Sequence, residues 1–310
     1  MNFGAIGRTR MLYDTVLKLC EAGHCLKFII TSRAAPESDI TQNDFKELAE
    51  KYSVPFLFTQ SLNTKITQLF LNDISDIEIV VSVNFSSIIK TEFINRFPSG
   101  ILNAHAGDLP RYRGNAPLAW AIINRESRIG LCIHKMIGNE VDSGNIIGRR
   151  YYDIDISTKI GTLQKRINRD IPELMLESVT RLGEDPNFVI EIQSKDPADA
   201  LRGYPRIPAD GKINWSESNE NILRLINASS EPYAGAFTCF NNEKLIIWEA
   251  ELYKDDEKYL AAPGQISEKN DHVIVITGQG KLIIKKITYK DFTGDPTVII
   301  TSIRTRFTNN

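Results

Sequence analysis

The sequence predicts an α/β protein with a Rossmann-like, mostly parallel sheet and flanking helices, followed by a smaller C-terminal β-rich domain of the OB-like barrel type. Three observations support this prediction. In the first two hundred residues, short β-rich runs alternate with longer amphipathic stretches, as in parallel strands joined by helical crossovers. Prolines and turn residues then cluster between 186 and 208. Beyond them, apolar runs are separated by Asn-Asn and Gly-containing turns, which favours a small barrel or sandwich.

The elements of the first part follow from periodicity. The pattern predicts strands at 2–6, 26–31, 55–58, 77–83 and 100–104, and helices at 9–22, 43–52, 64–71 and 86–96. A further helix is expected after Pro117, and two more strands are expected at 129–137 and 145–154. Apolar residues then recur at three- and four-residue steps from Leu163 to Leu182, which predicts a long helix that Pro172 can kink. We place the domain boundary at residue 200, with domains over 1–200 and 201–310.

Composition and charge exclude several classes of protein. The 310 residues carry a net charge of -2, so no basic excess indicates a nucleic-acid surface. The four cysteines form no CxxC pair and the histidines show no ligand spacing, so we expect no metal site. The N-terminus does not have the pattern of a signal peptide, and the longest apolar runs are strand-sized. We therefore expect a cytoplasmic protein that does not insert into membranes.

Two polar side chains follow an apolar strand in "GILNAHAGD". Asn103 and His105 are two residues apart, so they project to the same face of the strand, and the carboxyl ends of strands in open α/β sheets are where ligands bind. Asp142 lies 39 positions after Asn103, in "EVDSGNII", where Gly144 permits a tight turn. A carboxylate can orient an imidazole while an amide holds an oxyanion. Capping of backbone groups at the strand end is the alternative reading of Asn103 and His105.

The segments "NAHAGDLPRYRGNAPLAWAI", "IGLCIHKM" and "VDSGNII" resemble the folate-dependent formyltransferases, which include methionyl-tRNA formyltransferase, glycinamide ribonucleotide transformylase and enzymes that formylate nucleotide-linked amino sugars. Residues 206–250 resemble the C-terminal domain of the tRNA and aminoarabinose-type members. The resemblance covers about four fifths of the chain. It implies a formyltransferase catalytic domain over 1–200, with Asn103, His105 and Asp142 as the catalytic residues.

The same resemblance implies that 10-formyltetrahydrofolate is the cosubstrate and that "SVNFSSII" contacts its pterin. The implied folate-binding residues are Val83, Asn84, Phe85, Ser86 and Gly144. Core packing of Phe85 and helix capping by Ser86 are the alternative readings. The chain departs from the Ser-Leu-Leu-Pro that many members have after the histidine, because Asp108 stands in this loop and adds a carboxylate that can contact the substrate.

The charge distribution bears on the acceptor. Residues 33–47 are net acidic, and from residue 206 onward the sequence has 13 Lys and Arg residues and 14 Asp and Glu residues. Neither region therefore suits binding of tRNA phosphates. Arg111 and Arg113, with Arg206 and also Arg8 and Arg10, suit a pyrophosphate, which guanidinium groups bind bidentately. Solvated arginines are the alternative.

We therefore predict a sugar N-formyltransferase that modifies a nucleoside-diphosphate-linked amino sugar for surface polysaccharide such as lipopolysaccharide O-antigen. The family further favours a homodimer. Three alternatives stay open: a methionyl-tRNA formyltransferase, a formyltetrahydrofolate hydrolase that releases formate to water, and a binding module without activity. Formate release in the absence of an amine would distinguish the hydrolase.

Overall fold

The computed structural model describes residues 1–34, 39–85 and 87–308. The chain divides into two compact units. The first comprises residues 1–114, 129–152 and 165–203, and the second comprises residues 115–128, 153–164 and 204–310. The division after residue 203 lies near the predicted boundary at 200, but residues 115–128 and 153–164 cluster with the second unit, although the sequence prediction assigns them to the first domain.

Nine strands fall mainly in the first unit: β1 (Asn2–Gly7), β2 (Cys25–Thr31), β3 (Phe56–Phe58), β4 (Ile79–Val83), β5 (Ile101–His105), β6 (Arg111–Gly114), β7 (Arg128–Lys135), β8 (Ile146–Asp153) and β9 (Leu201–Gly203). Seven of them form one sheet in the order β3-β2-β1-β4-β5-β7-β8. Strands β1 to β5 are parallel, and β7 runs antiparallel to β5. The predicted mostly parallel sheet is confirmed. The short parallel pair of β6 and β9 was not predicted.

The glycines of "GAIG" serve strand packing. Gly4 and Gly7 both lie in β1, and helix α1 starts only at Arg10. A Cβ on Gly4 would lie 2.1 Å from the Phe28 ring, and one on Gly7 would lie 2.1 Å from the Val83 carbonyl oxygen. Both positions therefore need glycine for close packing within the sheet. The turn from β1 to α1 therefore follows this segment, at residues 8 and 9.

Seven helices connect the strands of the described chain: α1 (Arg10–Glu21), α2 (Gln42–Lys51), α3 (Lys65–Asn72), α4 (Thr91–Ile94), α5 (Pro117–Ile123), α6 (Ile160–Glu184) and α7 (Asn219–Ser229). Most lie within a few residues of the predicted spans. The prediction of a helix over 86–96 was wrong in length, because α4 has four residues. Helix α7 begins after Ser218, whose hydroxyl accepts a hydrogen bond from the Asn221 N–H at 3.3 Å.

The second unit contains an antiparallel sheet of six strands: β10 (Ala236–Phe240), β11 (Glu243–Tyr253), β12 (Ile266–Glu268), β13 (Val273–Ile276), β14 (Lys281–Tyr289) and β15 (Phe292–Gly294). Its order is β10-β11-β14-β13-β12, and β15 pairs with β14. The predicted β-rich domain is confirmed.

A segment near the end of the chain closes this sheet. Thr308 pairs with Cys239 of β10, and Arg306 pairs with Gln265 beside β12, so residues 306–308 bridge the two outer strands. Between these contacts, Phe307 stacks on Trp215 with ring centroids 5.4 Å apart. Both rings are about 1% exposed and lie in the core of the unit. In the described part of the chain, no helix has the length and apolar content needed to cross a bilayer.

Candidate active site

The predicted residues Asn103, His105 and Asp142 lie together in the first unit. Asn103 and His105 occupy the end of β5, and Asp142 lies in the turn between β7 and β8. The antiparallel pairing of β5 with β7 places Asn103 opposite His134. Directly opposite residues of an antiparallel pair project to the same face. The cluster therefore consists of an amide, two imidazoles and one carboxylate.

The His105 imidazole is held at both nitrogen atoms. Its Nε2 lies 2.7 Å from the carbonyl oxygen of Tyr112, and its Nδ1 lies 3.5 Å from Oδ2 of Asp142. Because a carbonyl oxygen only accepts, we infer that Nε2 carries a proton. Gly107 leaves room for this contact, since a Cβ there would lie 2.5 Å from His105 Nε2. The ring is 7% exposed.

Burial has the largest influence on the pKa of His105 and lowers it from the ordinary value. His134 lowers it further, whereas Asp142 acts in the opposite direction. The neutral imidazole is therefore favoured at neutral pH. With the proton on Nε2, the Nδ1 atom is a base that faces a carboxylate, and Asp142 can stabilise a proton taken up there.

Asp142 adopts a left-handed backbone conformation, with φ of 51°. Its Oδ2 accepts a hydrogen bond from the Gly114 N–H at 2.9 Å, and its Oδ1 lies 3.4 Å from Nε2 of His134. Burial alone would raise the pKa of this carboxyl. The two imidazoles and the Gly114 N–H outweigh burial, so the pKa of Asp142 lies well below the ordinary value and the side chain is ionised at neutral pH.

His134 is a member of the cluster that the sequence did not reveal. Its Nε2 lies 3.3 Å from Nδ2 of Asn103, and its Nδ1 lies 3.0 Å from the carbonyl oxygen of Lys135. The residue is 1% exposed. It therefore connects Asn103 to Asp142 within the sheet. The signal in the sequence is a histidine inside an otherwise apolar strand, but the antiparallel register that brings it opposite Asn103 is not readable from spacing.

Gly144 lies in the same turn as Asp142. A Cβ on Gly144 would lie 1.7 Å from the Lys135 carbonyl oxygen, so only glycine fits. The Gly144 carbonyl oxygen accepts a hydrogen bond from Nε2 of Gln193 at 2.6 Å, and the Asp142 carbonyl oxygen accepts from the same nitrogen at 2.9 Å. Gly144 thus shapes the turn that carries the carboxylate.

The carboxylate of Asp108 contacts another side chain of the protein. Arg149 Nη1 lies 3.1 Å from Oδ1 of Asp108, and Arg149 Nη2 lies 3.1 Å from Oε2 of Glu191 and 2.7 Å from the Leu109 carbonyl oxygen. The Arg149 side chain is 12% exposed. The contact with Arg149 gives Asp108 a role in holding the loop after His105, beside the substrate contact that the sequence suggested.

The two arginines of strand β6 have different surroundings. Arg113 donates through Nε and Nη2 to Oε1 of Gln193, at 3.2 and 2.8 Å, and through Nη2 to the Ser194 carbonyl oxygen. Arg111 is exposed, and its guanidinium lies 5.5 Å from the centre of the Tyr112 ring. Arg113 is thus anchored within the first unit, whereas Arg111 is the more accessible of the two.

Arg206 lies in the second unit, at a pocket of about 140 Å³ whose lining includes Ala116, Pro208, Ser229 and Tyr233. Its Nη2 donates to the Asp210 carbonyl oxygen at 3.1 Å and to the Ser229 hydroxyl at 3.2 Å. Within the described residues, the buried Nε atom has no hydrogen-bond partner. The guanidinium also lies 5.6 Å from the centre of the Trp120 ring. Arg206, one of the arginines that the sequence suggests for phosphate binding, therefore has a buried donor next to a pocket.

The predicted folate-binding loop follows β4. Val83 ends the strand and is 2% exposed, and Asn84 adopts a left-handed conformation with φ of 57°. The Asn84 carbonyl oxygen accepts a hydrogen bond from Nε of Arg8 at 3.0 Å. Phe85 packs in part against the core of the sheet, as the alternative reading held. Ser86 lies outside the described residues.

Arg10, another arginine that the sequence suggested for phosphate binding, pairs with Asp39 at 3.1 Å.

Metal chemistry was not expected from the sequence. Across residues 1–34, 39–85 and 87–308, no group of three or more His, Cys, Asp or Glu side chains is arranged so that it could hold a metal ion.

Solved structures share this fold. The chain is 18% identical to an N-formyltransferase from Helicobacter canadensis, solved with folinic acid and dTDP-3-aminofucose, with a TM-score of 0.68 over 91% of this chain and 98% of that one. WlaRD, a sugar 3N-formyl transferase solved with dTDP and 5-N-formyl-THF, is 18% identical, with a TM-score of 0.68 over 92% and 97%.

HypX from Aquifex aeolicus, solved in complex with tetrahydrofolic acid, is 15% identical, with a TM-score of 0.61 over 97% of this chain. The chain spans only 47% of HypX, about half its length. Sequence profiles of protein families assign the chain more directly. The formyl transferase profile matches residues 31–179, which include the whole Asn103, His105 and Asp142 cluster, and the profile of the formyl transferase C-terminal domain matches residues 207–292. The two matches together span most of the chain, and the protein therefore belongs to the formyl transferase family.

Proposed function

We propose that the protein is an N-formyltransferase that moves a formyl group from 10-formyltetrahydrofolate to the primary amine of a nucleoside-diphosphate-linked amino sugar. The observation that carries the proposal is the cluster of Asn103, His105 and Asp142 at the carboxyl end of β5 and the following turn. Membership of the formyl transferase family gives the reaction class. The folate and dTDP ligands of the relatives described above support the donor and the acceptor.

The loop after β4 fits a folate by the chemistry of its groups. Val83 and Asn84 end a parallel strand and offer backbone donors and acceptors at the sheet edge where ligands bind. Arg8 adds a positive charge beside this loop, through its bond to the Asn84 carbonyl oxygen. Folates combine a pterin ring rich in hydrogen-bonding groups with a carboxylate tail. We therefore assign the pterin to the loop and the tail to the side of Arg8.

When bound, 10-formyltetrahydrofolate supplies an electrophilic formyl carbon that the amine attacks. Negative charge develops on the formyl oxygen, and an N–H of the Asn103 amide can stabilise it, an effect of about 100- to 1000-fold in rate. The Asn103 amide has two N–H groups, so a contact with His134 leaves the other for substrate. His105 Nδ1 can take up the proton that the amine loses, because Asp142 stabilises the resulting imidazolium. When the bond between the formyl carbon and the folate nitrogen breaks, the imidazolium can give this proton to the departing nitrogen, which leaves tetrahydrofolate and returns His105 to its neutral form.

Charged groups favour a small anionic acceptor. Arg111 is exposed at the start of strand β6 in the first unit. Arg206 has a buried Nε donor at the pocket of the second unit. A pyrophosphate can use two or three guanidinium groups, and a nucleotide supplies one. We assign Arg206 as a main partner of the pyrophosphate, because its buried Nε donor lies at the pocket of the second unit. For Arg111, Arg113 and Asp108 of the first unit, the substrate contact expected from the sequence stays a prediction.

A tRNA acceptor would need a longer basic surface. The net charge is -2, and the segment from residue 206 onward has 13 basic and 14 acidic residues, so the second unit carries no basic excess for phosphate contacts. A nucleotide-linked sugar serves glycosyl transfer, which suits surface polysaccharide such as lipopolysaccharide O-antigen. We further propose a cytoplasmic location, which the sequence suggests, and a homodimer, which its family resemblance implies.

A formyl-transfer assay tests the proposal. The purified protein is given 10-formyltetrahydrofolate and, in separate reactions, UDP-, dTDP- and GDP-linked amino sugars, methionyl-tRNA, or no acceptor. We expect one nucleotide sugar to gain the mass of a formyl group in place of hydrogen. Transfer only to methionyl-tRNA would contradict the acceptor assignment. Formate release at the same rate without any amine would instead identify a hydrolase. The His105→Ala variant is the negative control for each reaction.

A further inference from the structure

Gln193 lies next to the candidate active site, although it belongs to no helix or strand. It follows Glu191, which pairs with Ile146 at the start of β8 and so fixes the local backbone. The Gln193 side chain is buried, with 4% of the residue exposed. A buried primary amide at this position needs partners for two N–H groups and for its carbonyl oxygen.

All of these groups are bonded. Gln193 Nε2 donates to the carbonyl oxygens of Asp142, at 2.9 Å, and of Gly144, at 2.6 Å. Gln193 Oε1 accepts from Nε and Nη2 of Arg113, at 3.2 and 2.8 Å. One side chain thus joins the turn that carries Asp142 to strand β6.

A second contact between the same two segments closes a ring. The N–H of Gly114, the residue after Arg113, donates to Oδ2 of Asp142 at 2.9 Å. Strand β6 therefore holds the Asp142 carboxylate through a backbone N–H and holds the Asp142 backbone through Arg113 and Gln193. We refer to this ring of Asp142, Gly114, Arg113 and Gln193 as the carboxylate clamp.

The clamp bears on the reaction because the contacts of Asp142 with the imidazoles are long. His105 Nδ1 and His134 Nε2 lie 3.5 and 3.4 Å from the carboxylate, so a small displacement removes either contact. Asp142 also has a φ of 51°, a conformation that is strained for a residue other than glycine and persists where surrounding bonds fix it.

We propose that Gln193 is a positioning residue for formyl transfer, which holds Asp142 against His105 through the carboxylate clamp. The expected effect of Gln193 on the rate rests on the proposed function, whereas the hydrogen bonds of the carboxylate clamp do not depend on it. It also assigns Arg113 to the clamp, since two of its guanidinium nitrogens are bonded to Gln193 and Ser194. Misplacement of a catalytic group by about 1 Å costs about 100-fold in rate.

Two substitutions separate the donor and acceptor halves of the amide. Gln193→Glu keeps the acceptor oxygens for Arg113 but removes both donors to the turn, and Gln193→Met removes all four bonds at similar volume. Gln42→Met, at an exposed position in α2, is the matched control. We expect kcat to fall about 10- to 100-fold in both Gln193 variants, with the KM for 10-formyltetrahydrofolate changed less than about threefold.

A second readout follows the imidazoles directly. The chain has four histidines, so ¹⁵N-histidine NMR resolves the ring nitrogens of His105 and His134 after assignment with single variants. We expect these resonances to shift in both Gln193 variants and to stay in place in Gln42→Met. They are recorded without folate or acceptor, so an error in the proposed acceptor leaves this readout intact. Unchanged imidazole resonances, or a kcat within about twofold of wild type, in a folded Gln193→Glu variant overturns the proposal.

Discussion

Nε2 of His134 lies 3.4 Å from Oδ1 of Asp142, while Nδ1 of His105 lies 3.5 Å from Oδ2 of the same carboxylate. The two imidazole rings are nearly perpendicular, with an angle of 82° and centroids 6.4 Å apart. Asp142 therefore faces two buried imidazoles, one through each oxygen. Only His105 belongs to the catalytic set expected from the sequence, so His134 needs an experimental test of its own.

Replacement of His134 should impair turnover without removing folate binding. In His134→Ala, Asn103 and Asp142 each lose a neighbour within 3.5 Å, so the amide and the carboxylate lose their fixed orientation. We expect kcat to fall about 10-fold or more, and His134→Gln, which retains a polar side chain, to fall less. His272→Ala, at an exposed histidine of the second unit, is the control. Steady-state kinetics with wild-type values for His134→Ala would remove the residue from the site.

Substitutions of the predicted catalytic residues should separate folding from activity. We expect Asn103→Ala, His105→Ala and Asp142→Asn each to lower kcat by at least about 100-fold, because each removes a group that stabilises charge during transfer. Circular dichroism and thermal unfolding establish that each variant is folded. Near-wild-type turnover of His105→Ala would contradict the mechanism, whatever acceptor is used.

The lowered pKa of His105 predicts a loss of stability in acid. Burial lowers this pKa below the ordinary value of 6.5, so below that pH the unfolded chain binds a proton more readily than the native protein does. The free energy of unfolding should therefore fall as the pH is lowered through this ordinary value of 6.5. His105→Gln has no such titration, so urea unfolding should show a flatter pH dependence for the variant. Equal slopes would contradict the prediction. Asp142, whose pKa is lowered, adds its own loss only below its ordinary value of 3.8.

Gly107 should not tolerate even alanine. A Cβ at this position would lie 2.5 Å from His105 Nε2 and 2.8 Å from the Tyr112 carbonyl oxygen, which are partners in a hydrogen bond. Gly107→Ala should therefore displace the imidazole and lower kcat by about 10-fold or more. The NMR resonance of His105 Nε2 would report the broken bond. An unchanged resonance together with unchanged turnover would show that the loop adjusts without moving the ring.

Arg206 should affect the acceptor more than the folate. Its buried Nε lacks a partner among the described residues, so a bound phosphate can supply one. We expect Arg206→Ala to raise the KM for the nucleotide sugar about 10-fold and to leave the KM for 10-formyltetrahydrofolate within about twofold. Arg224→Ala, which loses a bond to the Ile122 carbonyl oxygen in the same unit, is the control. Similar effects of both variants would indicate a structural role for Arg206.

The sequence was most informative where bonds are local or the pattern is strongly periodic. Strands β1, β2 and β4 are mainly apolar runs, so each is predicted close to its observed bounds. The helix predicted at 86–96 is only four residues long in the structure, because Ile89 and Phe93 pack in the core of the sheet without forming a continuous helix. The pair of β6 and β9 joins segments about ninety residues apart, a pairing that no local pattern encodes.

The same distinction applies to the site. Asn103 and His105 share a strand, so their common face follows from the alternation of side chains. His134 and Gln193 join them through an antiparallel register and through a loop that lies 51 residues after Asp142. Such contacts depend on how the sheet assembles, and spacing along the chain does not determine them. The partners of Asp108 and Arg113 were missed for the same reason.

Closure of the β-sheet by residues 306–308 has a consequence for synthesis of the protein. The outer edges of β10 and β12 are bridged by this segment, and Trp215 stacks on its Phe307. While a nascent chain is still emerging from the ribosome, both outer strands therefore expose unpaired backbone groups, which are templates for aggregation. The second unit completes its sheet only after residue 308 has left the exit tunnel. Tags or truncations that disturb this segment should lower the yield of soluble protein more than equal changes elsewhere on the surface.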